Sequence, residues 1–183
     1  MGWGKLQTAL DIIYPPRCVA CGGYVESDYG LCGTCWRQVH FMRGTGCWTC
    51  GLSLPGYLDA SEQVICDSCL SLGPPWRRGV AALAYDETGR SLVLALKHGD
   101  RHDIVRPAAD WMAQVSWVLV QPNMLVAPVP LNWTRLFRRC YNQAALLSAA
   151  LAKRLDLSHC ADLLIRSLRT QSLEGCSTDQ RFA

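Results

Sequence analysis

Cys18-Val-Ala-Cys21-Gly22 with Cys32-Gly-Thr-Cys35, then Cys47-Trp-Thr-Cys50-Gly51 with Cys66-Asp-Ser-Cys69, place eight of the chain's eleven cysteines in four Cys-x-x-Cys pairs. A pair two residues apart can present both thiolates to one metal from a single tight turn. Two such turns complete a tetrahedral four-cysteine site, with Zn–S distances of about 2.3 Å. Four pairs therefore provide for two structural zinc ions. The expected ligands are Cys18, Cys21, Cys32, Cys35, Cys47, Cys50, Cys66 and Cys69.

The intervals favour pairing in order. Ten residues separate Cys21 from Cys32 and fifteen separate Cys50 from Cys66, and the second matches a zinc-ribbon spacing of roughly 15–20 residues. The glycine after the second ligand, Gly22 or Gly51, suits a turn whose NH groups point at sulfur and which needs positive φ. Tandem ribbons are expected, with a crossed arrangement (first pair with third, second with fourth) as the alternative. A disulfide framework is the other reading of so many cysteines. Against it stand the lack of a secretory signal pattern and the odd total left by Cys140, Cys160 and Cys176.

Of the 183 residues, 50% are hydrophobic and 18% charged, the composition of a globular protein rather than a disordered one. No apolar run reaches the roughly 18 residues of a membrane span. With reduced thiolates and no export signal, a cytoplasmic location is expected. Charge is unevenly distributed. Residues 1–75 carry four Lys/Arg against six Asp/Glu, and residues 76–183 fourteen against nine, for a net charge of +3 over the whole chain. Each four-thiolate zinc centre adds roughly two further negative charges. An acidic ribbon is a poor match for phosphate, so the zinc module reads as structural or as a protein-docking surface.

The pattern divides the chain into an N-terminal helix (1–14), a double zinc ribbon (15–72), a Pro-Pro linker (73–78) and an α/β region (79–183). In the last, Gly79 to Tyr85 is a short apolar run that reads as a buried strand. Thr88 to Lys97 reads as a helix with Leu92, Val93 and Leu96 on one face. Asp103 to Leu119 reads as a second, capped by Asp103, with Pro107 in its first turn and Ala109, Met112 and Ala113 inward. Asn123 to Pro130 reads as a second buried strand. Asn142 to Leu155 reads as a helix with Leu147, Leu151 and Leu155 in a stripe. Strand, helix, strand, helix is the pattern of a parallel α/β sheet, here with few strands. The Pro128-Val129-Pro130 turn would lie at the carboxyl edge of such a sheet, where ligands of open α/β folds bind. Arg135, Arg138 and Arg139 follow it, reading either as an anion site or as a solvated basic turn.

Taken in order, the double ribbon, Ala82-Leu-Ala-Tyr85, Ala95-Leu-Lys-His98, Pro128-Val-Pro-Leu131 and Arg138-Arg-Cys-Tyr-Asn-Gln143 resemble the ComF family. That family joins a double zinc ribbon to a type I phosphoribosyltransferase-like domain. The resemblance implies a small zinc-ribbon module followed by an incomplete phosphoribosyltransferase-like α/β parallel-sheet domain. It makes Pro128, Val129 and Pro130 the pyrophosphate-side loop, and Lys97, Arg138 and Arg139 candidate phosphate partners. Lys97 also fits as the polar end of an amphipathic helix. Cys140 stands where the family's Arg-Gly-Phe-Asn-Gln has glycine. The family's phosphate loop, Asp-Asp-x-x-Thr-Thr-Gly-x-Thr, does not occur in this sequence, and the segment 166–175 looks like the stretch that precedes the family's later strands. The expectation is thus the N-terminal portion of such a protein, cut before its main phosphate site and not catalytic in this form. Phosphoribosyl pyrophosphate or a nucleotide, with Mg2+, would be the ligands of a longer form.

The alternative function is a non-catalytic zinc-ribbon adaptor that binds single-stranded DNA or a competence protein, with Trp133 and Tyr141 as stacking faces. The blandest reading is a zinc module on an α/β half that cannot close its core, leaving Val126, Leu147 and Leu151 exposed.

Overall fold

The structure, a computed structural model, describes residues 14–42, 46–56 and 63–168. The expected helix over 1–14 lies almost wholly outside the described residues, as does the polar stretch 169–183.

The first half is one unit used twice. In each, a short hairpin carries the first cysteine pair and a six-residue helix opens on the second pair. Arg17 pairs with Tyr24 across the first hairpin and Gly46 with Ser53 across the second, both antiparallel. Inside each turn the hydrogen bonds correspond. Cys18 N donates to Gly23 O and Gly22 N to Cys18 O; Cys47 N donates to Leu52 O and Gly51 N to Cys47 O. Helix α1 (Gly33–Gln38) has Cys32 as its N-cap, and α2 (Asp67–Leu72) has Cys66.

Helix α3 (Glu87–His98) begins where the Asp86 carboxylate accepts a hydrogen bond from Gly89 N at 2.8 Å, satisfying one orphan donor of the first turn. Its inward face is Leu92 and Leu96, whereas Val93 turns to solvent, 45% exposed, contrary to its expected place on that face. A 3-10 turn (His102–Ile104) leads into α4 (Val105–Ser116), which holds Pro107, Ala109 and Trp111 inward, with Met112 and Ala113 half-buried. Asp103 does not cap this helix. Its carboxylate is forked onto the Arg101 guanidinium at 2.9 and 2.7 Å, a geometry stronger than a single NH cap.

Strand β1 is only Leu125–Val126, and the apolar run from 123 to 130 otherwise stays irregular because its prolines cannot donate to a ladder. Helix α5 (Trp133–Arg139) is an element that the sequence does not predict: it occupies the basic stretch after the Pro128–Pro130 turn and is capped by Asn132. Helix α6 (Gln143–Leu155) follows, capped by Asn142, and packs along α4. Arg154 on α6 pairs with Asp110 on α4. Leu147, Leu151 and Leu155 are half-buried, and the buried positions of α6 are Gln143, Ser148 and Ala152. Strand β2 (Ser158–His159) closes a parallel pair with β1, Leu125 opposite Ser158 and Val126 opposite His159. A sheet of two parallel strands with a helical crossover is therefore present among the described residues.

Residues 79–85 do not form the expected strand of that sheet. They run antiparallel to the first ribbon instead. Met42 N donates to Ala82 O at 3.0 Å, Ala84 N donates to His40 O at 2.9 Å, and Phe41 pairs with Leu83. The apolar run is only half-buried rather than buried, with Tyr85 66% exposed, and its partner comes from the zinc module. The shared core shows the same thing: Val19 and Val39 from the first ribbon pack with Leu92, Ile104 and Trp111, and Phe41, Ala82 and Leu83 close around them. Trp111 meets Phe41 edge-on at 5.5 Å.

The stretch 73–78 folds back on the second ribbon. Trp76 Nε1 donates to Thr49 O at 2.8 Å, and the Arg78 guanidinium lies 3.8 Å over the Trp48 ring while donating to Val118 O at 3.2 Å. The backbones meet without side chains between them. A Cβ on Gly51 would fall 2.7 Å from Ala81 N, and Gly51 has φ +75°. Gly22 occupies the same place in the first turn at φ +76°, with nothing within 4 Å of its added Cβ. The two positions thus separate backbone strain from collision. Gly22→Ala should lose about 1–2 kcal/mol of stability from the left-handed conformation alone. Gly51→Ala should lose distinctly more, because 79–81 must move. Denaturant unfolding of the zinc-loaded variants checks this, and equal losses would show that the strap gives way freely.

Candidate metal centres

The sulfurs of Cys18, Cys21, Cys32 and Cys35 all lie within 4.8 Å of one another, and so do those of Cys47, Cys50, Cys66 and Cys69. The pairing is sequential, and the crossed arrangement is excluded. None of the ten described cysteines is in a disulfide.

The donor set fits zinc. A tetrahedron with Zn–S bonds of about 2.3 Å has S···S edges of about 3.8 Å. Cys21 Sγ and Cys32 Sγ are 3.7 Å apart, and Cys50 Sγ and Cys66 Sγ 3.8 Å. Backbone NH groups converge on the sulfurs from outside, as thiolates require. Cys32 N donates to Cys18 Sγ and Cys66 N to Cys47 Sγ, both at 3.3 Å, and Gly23 N to Cys21 Sγ at 3.4 Å. Burial pushes the Cys18 thiol up, but the NH groups of Cys21, Cys32 and Ala20 outweigh it and bring it down to about 6. Cys47 repeats this: burial raises it, the NH groups of Cys66, Cys50 and Thr49 outweigh that, and it too comes down to about 6. Cys35 and Cys69 are pushed up, first by burial and then by the neighbouring sulfurs. Four thiols so close cannot all ionise without a cation among them. These residues would hold two structural zinc ions, each supplying the cross-link that a small module lacks.

The first site is also tied to the α/β half. Arg101 Nη2 donates to Val19 O at 3.2 Å while the guanidinium holds Asp103. Hydrogen bonding to Arg101 keeps the Asp103 carboxyl below the usual carboxylate range. Arg101 belongs to no motif, and its one local signal in the sequence is the acid two residues on, in Arg101-His-Asp103.

Of the residues expected to meet phosphate, Pro128 is buried, Val129 is 73% exposed and Pro130 is half-buried, in the loop that leaves β1. Asn132, 3% exposed, ends the loop. Its Oδ1 accepts from Thr134 N at 3.2 Å, and its Nδ2 donates to Arg166 O at 3.3 Å. Lys97 lies in the last turn of α3 with its side chain exposed. Its carbonyl accepts a hydrogen bond from Gln143 Nε2 at 3.1 Å, so Lys97 meets the 141–143 turn through its backbone. Arg138 and Arg139 lie on α5, with side chains outside the described residues. Tyr141 is not a free stacking face. Its hydroxyl donates to Asp100 and its ring stands edge-on to His102, centroids 4.4 Å apart. Two segments far apart in sequence, Ala95–Asp100 and Tyr141–Gln143, are thus joined side by side.

Cys140 adopts φ +62° at the C-cap of α5, a left-handed conformation that favours glycine. Cys140→Gly should therefore stabilise the protein by about 0.5–1 kcal/mol, strain relief exceeding the added chain entropy. A rise in the denaturant midpoint at unchanged slope checks it.

The family model for a double zinc ribbon domain matches residues 9–70. "Competence protein F" of Haemophilus influenzae is 30% identical over 172 residues, which cover 90% of this chain and 72% of that protein. "DNA utilization protein YhgH" of Salmonella typhimurium is 35% identical over 132 residues, covering 69% of this chain and 55% of that protein. The protein of the same name from Escherichia coli K12 is 30% identical over 148 residues, 78% of this chain and 62% of its own length. The chain thus spans between 55% and 72% of the length of these relatives. No solved structure matches it significantly. No helix among the described residues is long and apolar enough to cross a membrane. With paired four-sulfur sites in sequential order and similarity running across nine-tenths of its length, the chain belongs to the ComF family.

Proposed function

We propose that the chain serves DNA uptake or utilization, holding single-stranded DNA on its basic half while the two zinc sites act as framework. The observation that carries this reading is helix α5. Trp133 and Phe137, four residues apart and hence on one helix face, are 72% and 85% exposed. The same seven-residue helix carries Arg135, Arg138 and Arg139. Exposed rings stack on bases of any sequence, and arginines meet the phosphates between them. The stacking role that Tyr141 was expected to play falls to Phe137. The relatives' names support a role with DNA, and the acidic ribbon half is the wrong sign for it.

Fluorescence anisotropy with a labelled oligothymidine tests the proposal. Affinity should fall with salt, at a slope of about −0.7 for each phosphate neutralised. Trp133→Ala and Phe137→Ala should each weaken binding by about 1–3 kcal/mol. Binding indifferent to salt or to both substitutions would reject it.

A second reading is that the 79–168 region is phosphoribosyltransferase-like and takes phosphoribosyl pyrophosphate or a nucleotide with Mg2+. It is favoured by the Pro128–Pro130 loop leaving the carboxyl end of a strand in a parallel pair. Calorimetric titration with phosphoribosyl pyrophosphate, with and without Mg2+, tests it. No heat in either condition would eliminate it for this chain. No turnover is expected, since the sequence has no paired-acid phosphate loop.

A further inference from the structure

We infer that the first metal site contains a redox-sensitive pair, Cys21 and Cys32, through which a peroxide opens that site while the second stays closed. The inference does not rest on the DNA-binding reading.

The two sites have the same ligand spacing at each knuckle but differ in exposure. Cys21 is the one exposed thiol among the eight ligands, whereas every ligand of the second site is buried or half-buried. Cys21 also lines an open cleft of about 600 Å³ shared with Arg37, His40, Asp86 and Ser91. A small oxidant can therefore reach this sulfur from solvent. Within the cleft, the Arg37 guanidinium offers donors to a departing hydroxide. Cys32 Sγ is already 3.7 Å from Cys21 Sγ, so the resolving thiolate is in place. Access and a neighbouring resolving sulfur together mark redox-sensitive cysteines.

The chemistry balances with hydrogen peroxide as oxidant. The Cys21 thiolate attacks one peroxide oxygen. An S–O bond forms, the O–O bond breaks, and hydroxide leaves and is protonated to water. The Cys32 thiolate then attacks the sulfenic sulfur. An S–S bond forms at about 2.05 Å, and a second hydroxide leaves as water. Two thiolates have given up two electrons and the peroxide has taken them. Cys18 and Cys35 alone cannot retain a tetrahedral ion. Val19 and Val39, which flank these ligands, belong to the core shared with α3 and α4, so opening this site loosens the joint between the halves.

The test uses the full zinc-loaded chain with Cys140, Cys160 and Cys176 changed to serine, so that only ligand thiols report. Hydrogen peroxide is added, released zinc is followed with a chromogenic chelator, and disulfides are mapped by mass spectrometry. One of the two equivalents should leave well ahead of the other, with a Cys21–Cys32 disulfide, and dithiothreitol plus zinc should restore it. Mapping the unsubstituted chain serves equally if the serine variant folds poorly. Loss of both equivalents together, earlier oxidation of the second site, or a first disulfide lacking Cys21 would overturn the inference.

Discussion

Cys18→Ser should abolish most of the far-UV helical signal of the whole chain, while Cys47→Ser should cost one zinc and leave most helix intact. The two residues are matched in every local respect. Each is the first ligand of its site, each is buried, and each sulfur accepts the backbone NH of the third ligand at 3.3 Å. The difference lies beyond the sites. The first turn carries Val19 into the common core and offers its carbonyl to Arg101, and helix α1 delivers Val39 to the same core. The second turn contributes no residue to that core, and its described ties to the rest run through Trp76, Arg78 and Gly79. A structural zinc site contributes about 10–16 kcal/mol of coupled folding energy. A domain's net stability is only about 5–15 kcal/mol. Losing the first site therefore removes more than the α/β half holds in reserve. Losing the second frees the 46–72 segment while Leu92, Ile104 and Trp111 remain packed. Zinc content, circular dichroism and thermal unfolding of the two variants decide the matter. Equal unfolding by both would show that the second ribbon also shares the core.

What could be read from the sequence followed how local the governing physics was. A Cys-x-x-Cys turn is closed by bonds within six residues, so ligands, glycine turns and sequential order were all visible in spacing. Helices α3, α4 and α6 were legible too, because Asn142 and the apolar periodicity are local signals, although the Asp86 cap of α3 went unread. The partner of 79–85 was not. An apolar run announces burial but not its neighbour, and here two hydrogen bonds to 40–42 place it on the ribbon. Asp103 misled for a related reason: a carboxylate before a helix looks like a cap until an arginine two residues earlier claims it. Strand β2 is two residues long, Ser158–His159, and defined only by its ladder with β1, so no periodicity could reveal it. For the candidate nucleic-acid face, charge was visible in the sequence. The exposure of Phe137 was not, since a phenylalanine reads as core from sequence alone, whereas here it is 85% exposed.

Trp111→Ala should weaken zinc at the first site while sparing the second, although Trp111 belongs to α4 and ligates nothing. The indole is 8% exposed, sits edge-on to Phe41, and shares the core with Val19 and Val39. Removing a buried tryptophan side chain costs about 3–5 kcal/mol through lost contacts and the cavity left behind. That loss falls on the surface against which the first ribbon is held. Because metal binding and folding of such a module are one equilibrium, destabilising the folded form lowers apparent zinc affinity by the same free energy. At about 1.4 kcal/mol per tenfold, the first site should weaken by about a hundredfold or more. The second ribbon has its own hairpin, helix and strap, with none of them packed on Trp111 in the core cluster, so its affinity should hold. Trp111→Phe keeps most of the apolar contact and should recover most of the loss. Competitive zinc titration against a chromogenic chelator reads both sites in one experiment. If the two sites weaken together, or neither does, the first ribbon is not anchored through this core, and the contrast expected between Cys18→Ser and Cys47→Ser would lose its basis as well.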